Sequence, residues 1–393
     1  MAQVLQMASK TSTLRDRYLD ATAQLNESFV ARDEAIRCIA LATLLGGNCL
    51  LIGDPGTGKT SLIERWLTHI SDAKLFSVLC GSFTTLDEVV GPADIAAFQA
   101  GRYERSTAGM LPEATHGFLD EVMKSNDGCI NSLLSLLNER TFGGRLTALD
   151  VVLAATNWPE IKERTEKVEA LYDRFVFRCH VECCKGTDHT RMLVAATTKV
   201  EGYAPRSRFT LAEIKAARAE VKQVTLSDAI LVKLTEFVAR LASDDVVVSD
   251  RRSVKAVAAL RASAWLAGRS QVTISDFAVL RFVTWADEAE IDVVDAVLDT
   301  IDGEVVRSTI AMVDEASRAA KELRALSHES RVAKAPATLK RVADAALAVK
   351  ATIAAEETTI TDRGLSKIRA ALKDLGQDYA SLKADIKRWS GLA

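Results

Sequence analysis

Residues 53–60 read Gly-Asp-Pro-Gly-Thr-Gly-Lys-Thr. Two framing glycines followed by a lysine and a hydroxyl are the spacing that suits a phosphate chain. Gly53, Gly56 and Gly58 let backbone N–H groups curl round an anion with no Cβ in the way, while Asp54, Pro55 and Thr57 complete the turn. The short apolar run 49–52 precedes the loop and a helical pattern from Thr60 to about Ile70 follows it. A helix opening there points its positive end at the phosphates. Lys59 can reach the terminal phosphates of a nucleoside triphosphate, and the Thr60 hydroxyl can ligate Mg²⁺.

Two further strand-like runs end in polar residues. Gly117-Phe118-Leu119-Asp120-Glu121 closes on two carboxylates, 61 residues after Lys59. Asp120 suits the Mg²⁺ shell, and Glu121 can polarise an attacking water. Val151 to Thr156 closes on Asn157. In a parallel sheet, ligands sit at the carboxyl ends of strands, so Asn157 would lie beside the terminal phosphate and orient water; the plainer alternative is a turn-forming Asn before Trp158. Arg174 precedes the run 175–181 and could stabilise phosphate charge in a neighbouring subunit, or simply pair with Asp173. Arg251 and Arg252 open a helix after Ser249-Asp250. One of them could bend back onto the phosphates of its own chain. Adjacent residues do not share a helix face, so only one should do so, and Arg251 is preferred.

The elements that position these residues follow from periodicity. Strand candidates at 49–52, 75–79, 117–119, 151–155 and 175–181 alternate with helical stretches, which implies βαβ units and a mostly parallel sheet. Gly143-Gly144 marks a hairpin within 141–150. Beyond about residue 190 strand signals fade, and helices are expected near 211–222, 226–242, 250–267 and 275–288. The tail from 304 is helical throughout. Leu365, Ile368, Leu372, Leu375, Tyr379, Leu382, Ile386 and Trp389 alternate spacings of 3 and 4. That is the seam of a helix packed on residues 305–355, or of an intermolecular coiled coil.

Composition narrows the class. The chain has 393 residues, 48% hydrophobic and 26% charged, as a folded globular protein should. With 50 Lys and Arg against 53 Asp and Glu, the net charge of -3 offers no global field for nucleic acid or an anionic membrane. No apolar run is long enough to span a membrane, and the N-terminus lacks the pattern of a secretory leader. The seven cysteines read as buried thiols of a reducing compartment. The cluster Cys179, His180, Cys183, Cys184 and His189 matches none of the common paired-ligand zinc spacings and reads as a strand end with its loop.

Lys59, Asp120-Glu121, Asn157, Arg174 and Arg251 follow the order Walker A, Walker B, sensor 1, arginine finger, sensor 2. The chain therefore resembles an AAA+ ATPase. Its finer text resembles the MoxR family, in particular the RavA-like (regulatory ATPase variant) branch. Carrying segments are 101–105 (GRYER), 109–114 (GMLPEA), 118–121 (FLDE), 134–142 (LSLLNERTF), 169–174 (EALYDR), 248–252 (VSDRR) and 262–270 (ASAWLAGRS).

The resemblance covers about residues 10–300. It implies an α/β P-loop core with a parallel sheet over 1–205, an all-α lid over 206–303 and an all-α C-terminal extension, hairpin or coiled coil, over 304–393. It further implies a helix-2 insert at 84–112 and a hairpin at 140–150 facing a central pore or partner, with Phe98, Phe142 and Arg145 as candidates there. An adenine pocket is implied near Phe29 and Val30. Arg140 would be an interface residue or a helix-end ion pair. The implied activity is ATP hydrolysis with Mg²⁺ on Thr60 and Asp120, in a cytoplasmic homo-oligomeric ring, six by family precedent. Such a ring would remodel a protein client with a von Willebrand factor A-domain partner. The branch usually carries a β-rich insertion absent from the purely helical tail here, so its known target does not transfer. The rival readings are a DNA- or RNA-dependent motor, a magnesium-chelatase-like motor subunit, and a nucleotide-gated assembly protein that hydrolyses little.

Overall fold

The structure is a computed structural model that describes residues 13–158, 166–197, 202–301, 303–356 and 362–389. Its contacts divide the chain into two compact units. One holds the residues up to Val224 together with Asp250–Ser270. The other holds Thr225–Ser249 and everything from Gln271 onward.

The first unit is built on five parallel strands: β1 (Asn48–Ile52), β2 (Leu75–Leu79), β3 (His116–Asp120), β6 (Val151–Thr156) and β7 (Phe177–His180), in the order β2-β3-β6-β1-β7. A two-stranded hairpin, β4 (Thr141–Phe142) with β5 (Arg145–Leu146), stands apart. The central strands β1 and β6 are buried along their whole length, as near-continuous apolar runs in a covered parallel sheet must be. Asn48 faces Val152, and Ile52 faces both Thr156 and His180. The ends of β1, β6 and β7 are thereby level, and their following residues converge at one edge.

Helices cover the sheet: α1 (Leu14–Ser28), α2 (Asp33–Leu45), α3 (Lys59–Leu67), the short α4 (Leu86–Val90) and α5 (Ile95–Gln99), α6 (Asp127–Asn138), α7 (Glu166–Arg174) and α8 (Gly186–Thr197). α2 is apolar nearly all round and lies buried beside β1 and β7; its C-cap Gly46 takes the left-handed conformation with φ 68°. Tyr18, Trp66 and Phe209 form one aromatic cluster, and the Tyr18 hydroxyl donates to Ala40 O at 2.7 Å. α9 (Leu211–Gln223) and α11 (Asp250–Leu266) both pack on α2. Arg218 fixes α9 to the end of α2 and to the approach to β6, clasping the Asp150 carboxylate at 2.8 and 2.9 Å and the Leu44 carbonyl at 2.9 Å.

The second unit contains α10 (Asp228–Ser243), a 3₁₀ stretch over Ile274–Phe282, α12 (Glu288–Ile301), α13 (Gly303–Ala325), α14 (His328–Glu356) and α15 (Asp362–Trp389). The helix expected over 275–288 is instead this 3₁₀ stretch, with α12 beginning at Glu288. At the end of the 3₁₀ stretch the Leu280 carbonyl accepts from both the backbone N–H and the hydroxyl of Thr284, at 3.1 and 2.8 Å, and Trp285 Nε1 donates to Arg281 O at 2.6 Å. Helices α13, α14 and α15 pack mutually, with Ile368, Leu375 and Leu382 of the α15 seam fully buried against Val313, Ala320, Val342 and Val349. Leu372, Tyr379 and Ile386 flank them. The side chains of Leu365 and Trp389 lie outside the described residues.

Candidate nucleotide site

The loop after β1 forms because almost nothing but glycine fits it. A Cβ on Gly53 would lie 2.2 Å from the Val181 carbonyl oxygen, and Gly56 and Gly58 have φ of 80° and 85°. Thr57 Oγ1 donates to Asp54 O at 2.9 Å, and Arg32 Nε donates to Thr57 O at 3.1 Å from the start of α2. α3 then opens at Lys59 with Gly58 as its N-cap. Asp54 and Pro55 are exposed at the tip.

Lys59 and Asn157 meet at the C-terminal edge of the sheet. Lys59 Nζ donates to Gly53 O at 2.8 Å, to Asp54 O at 2.9 Å and to Asn157 Oδ1 at 3.2 Å. Asn157 turns its Nδ2 the other way, to both oxygens of Glu121 at 3.0 and 3.1 Å. Glu121 also pairs with Lys124 at 3.2 Å. Thr60 Oγ1 donates to Asp120 Oδ2 at 2.8 Å. Three strand ends and one helix start thus carry a continuous polar line, Lys59–Asn157–Glu121–Lys124, beside the Thr60–Asp120 pair. Glu121 has φ 53°, a left-handed conformation that costs a residue with a side chain about 1 kcal/mol. The donor set of a hydroxyl and a carboxylate in contact, at the mouth of a glycine-lined loop, fits a hard oxygen-seeking cation.

Phe29 and Val30, at the junction of α1 and α2, lie against this loop. The Phe29 ring is 3.8 Å from the Cβ position of Gly58, and Cys184 Sγ approaches Val30 O at 3.6 Å. The Arg65 guanidinium stacks on Phe29 at 4.9 Å and on Tyr203 at 5.1 Å. Lys124, Arg32 and Arg65 escape a motif search because each acts through a neighbour. A basic residue one turn from a strand-end carboxylate is the only signal that points to Lys124.

The arginines lie elsewhere. Asn48, the first residue of β1, donates to Arg174 O at 3.0 Å. The loop at Gly53 leaves the other end of the same strand, about 13 Å away at ~3.3 Å per residue. Asp173 binds Arg252 at 3.1 Å and Arg251 at 3.5 Å, so both follow Arg174 to that opposite edge. The expectation that Arg251 bends onto the phosphates of its own chain therefore meets a geometry that points it away. Arg252 is buried on Asp173, while Arg251 is the more exposed of the two. Arg174 donates to Ala170 O at 2.9 Å, and its Nε is buried without a hydrogen-bond partner.

Asn48, Asp173, Arg174 and Arg251 line a cavity of about 800 Å³ between the sheet edge and α11. Its walls carry seven Lys and Arg side chains and one carboxylate, that of Asp173. Arg140 is structural there: φ 56°, donating to Asn48 Oδ1 at 2.8 Å and Asp150 O at 3.1 Å. Burial brings its pKa down to about 10.

Phe98 is exposed on α5, Phe142 is half-buried, and Arg145 is exposed on the hairpin; Phe142 and Arg145 line a separate cavity with Tyr103 and Arg105. Among the described residues no His, Cys, Asp and Glu group could hold a metal, the Cys179–His189 region included. Five of the seven thiols are buried, and burial pushes the Cys80 thiol up to about 11. No helix among the described residues is long and apolar enough to cross a membrane.

A parallel sheet of this order, a phosphate loop after β1, carboxylates after β3 and an asparagine after β6, with helices following, define an AAA+ ATPase fold with an all-α lid and C-terminal helices. A family model described as the MoxR domain in the MoxR-vWA-beta-propeller ternary systems matches residues 16–223, and an AAA lid domain model matches residues 222–298. The chain belongs to the MoxR family. Two uncharacterised proteins of Methanocaldococcus jannaschii are each 32% identical, over 278 and 274 residues, covering 70% and 68% of this chain and 72% and 71% of theirs. A crystal structure of a candidate ATPase from Cytophaga hutchinsonii superposes with a TM-score of 0.57 at 18% identity, covering 72% of this chain and 94% of that one. That likeness concerns the fold.

Proposed function

We propose that the protein is an ATP-hydrolysing motor whose active sites are completed between copies of the chain. One observation carries this: the phosphate loop and Arg174 leave opposite ends of β1. A single chain cannot bring them together, whereas two copies placed head to tail can. A contact of that kind joins two different surfaces, and repeating it closes a ring. Six subunits is the number the family suggests.

In this reading Gly53 to Thr60 hold the triphosphate of ATP, with Phe29 and Val30 beside the base. Thr60 and Asp120 are the residues that would hold Mg²⁺, which would supply positive charge to neutralise the phosphates. Glu121 accepts a proton from the attacking water, and Asn157, already bonded to its carboxylate, fixes where that carboxylate points. Arg174 from the next subunit stabilises charge on the transferring phosphoryl group, and Arg251, at the same edge, acts in trans with it rather than in cis. The work done is remodelling of a protein client in the cytoplasm, where ATP is supplied. The description of the matching family supports a partner with a von Willebrand factor A domain.

The test is ATP turnover against protein concentration, with mass measured with and without nucleotide, for wild type and Arg174→Ala. Turnover should rise with assembly. Arg174→Ala should still bind ATP yet lose about 10³-fold or more in kcat. Equal turnover in both proteins, or full activity from a monomer, would overturn the reading.

A further inference from the structure

The cavity at the sheet's N-terminal edge holds more positive charge than Arg174 and Arg251 account for. Several of its cations are already committed. Arg218 is bound to Asp150, Arg140 to Asn48 Oδ1 and the Asp150 carbonyl, and Arg251 shares Asp173 with Arg252. Arg261, like Arg174, has a buried Nε with no hydrogen-bond partner. Lys255 follows Arg251 by four residues on α11, so the two stand one above the other on the face that lines the cavity. Like charges at that spacing repel unless an anion joins them.

We propose that Lys255 is a third phosphate-directed cation of the hydrolytic interface, touching the terminal phosphates of a nucleoside triphosphate held in the loop of a second copy. The inference rests on the reading of the chain as an intersubunit ATPase. Partial burial on the cavity wall, together with Arg140 and Arg251, lowers the Lys255 pKa, the response of an ammonium placed among cations. An incoming polyphosphate removes that conflict. A compact ammonium adds point-charge stabilisation beside the planar guanidinium groups.

The experiment uses the full chain and mixed assemblies. Lys255→Ala alone should lose about 10- to 100-fold in kcat with KM for ATP little changed, and Lys255→Arg should keep most of the activity. Mixing Lys255→Ala with Glu121→Gln puts intact loops opposite intact cavities, so turnover should return. Arg174→Ala mixed with Glu121→Gln is the reference. If that reference is rescued and the Lys255→Ala mixture is not, Lys255 acts within its own chain and the proposal falls alone. If neither is rescued and wild-type turnover ignores concentration, the intersubunit reading has failed first. Where Lys255→Ala melts early, Lys255→Gln takes its place in the same mixtures. A fluorescent DNA duplex supplies the last arm. Salt-dependent binding lost in Lys255→Ala, with ATP turnover unchanged, would assign the cavity to nucleic acid and overturn the proposal.

Discussion

At the scale of single residues, Gly53 is the tightest point of the nucleotide loop. An added methyl group would lie 2.2 Å from the Val181 carbonyl oxygen and 3.0 Å from its carbon, and both of those are backbone atoms. Gly53→Ala should cost about 1–3 kcal/mol and weaken ATP binding, read by denaturant melts and by nucleotide titration. His116 gives a second residue-scale expectation. It begins β3 fully buried, and desolvation takes its pKa down to about 4. The unfolded chain protonates this histidine near 6.5 and the folded chain does not. Its share of stability is therefore complete above pH 6.5 and is lost as pH falls toward 4, about 3 kcal/mol over the window. His69 is shifted in the same direction, so the comparison must be wild type against His116→Asn, whose stability should fall less between pH 7 and 4.5. An equal slope in both proteins would refute the assignment. The phosphate loop, Asp120, Glu121 and Asn157 were legible in sequence because each closes a run of apolar residues in a βα unit. Lys124 and Arg32 were not, since their partners are set by how loops fold back.

At the scale of elements, the α15 seam shows how a heptad pattern is ambiguous until its partner is known. Spacing of 3 and 4 announces an apolar stripe and says nothing about which chain covers it. Here α13 and α14 cover it, leaving Leu375 and Leu382 fully buried. Leu375→Ala should cost about 2–5 kcal/mol, measured as early loss of helical signal at 222 nm, with ATP affinity unchanged. The position of α11 was the element that sequence could not supply. Its cap and helical period were readable, yet its docking on α2 and α7 depends on contacts between residues up to 226 positions apart, such as Arg37 with Ser263 and Arg252 with Asp173. Rotating that helix decides which edge of the sheet its basic face meets. The 3₁₀ stretch over Ile274–Phe282, with the next helix starting only at Glu288, is a second feature that apolar spacing did not mark.

At the scale of the whole molecule, a net charge of -3 conceals a local concentration of positive charge. Seven Lys and Arg side chains line the cavity at the N-terminal edge of the sheet, against the one carboxylate of Asp173. Global composition argued correctly against a uniform basic surface and was blind to a local one. The chain also passes three times between its two units, after Val224, Ser249 and Ser270. α11 is the short excursion between the second and third passages. Both of its ends are therefore spliced to the unit that contains the C-terminal bundle, while its side chains are docked beside Arg174. In mechanical terms α11 is a link fastened at both ends: a tug on either flanking segment would reach Arg251 and Lys255 along covalent bonds, without first crossing the β-sheet.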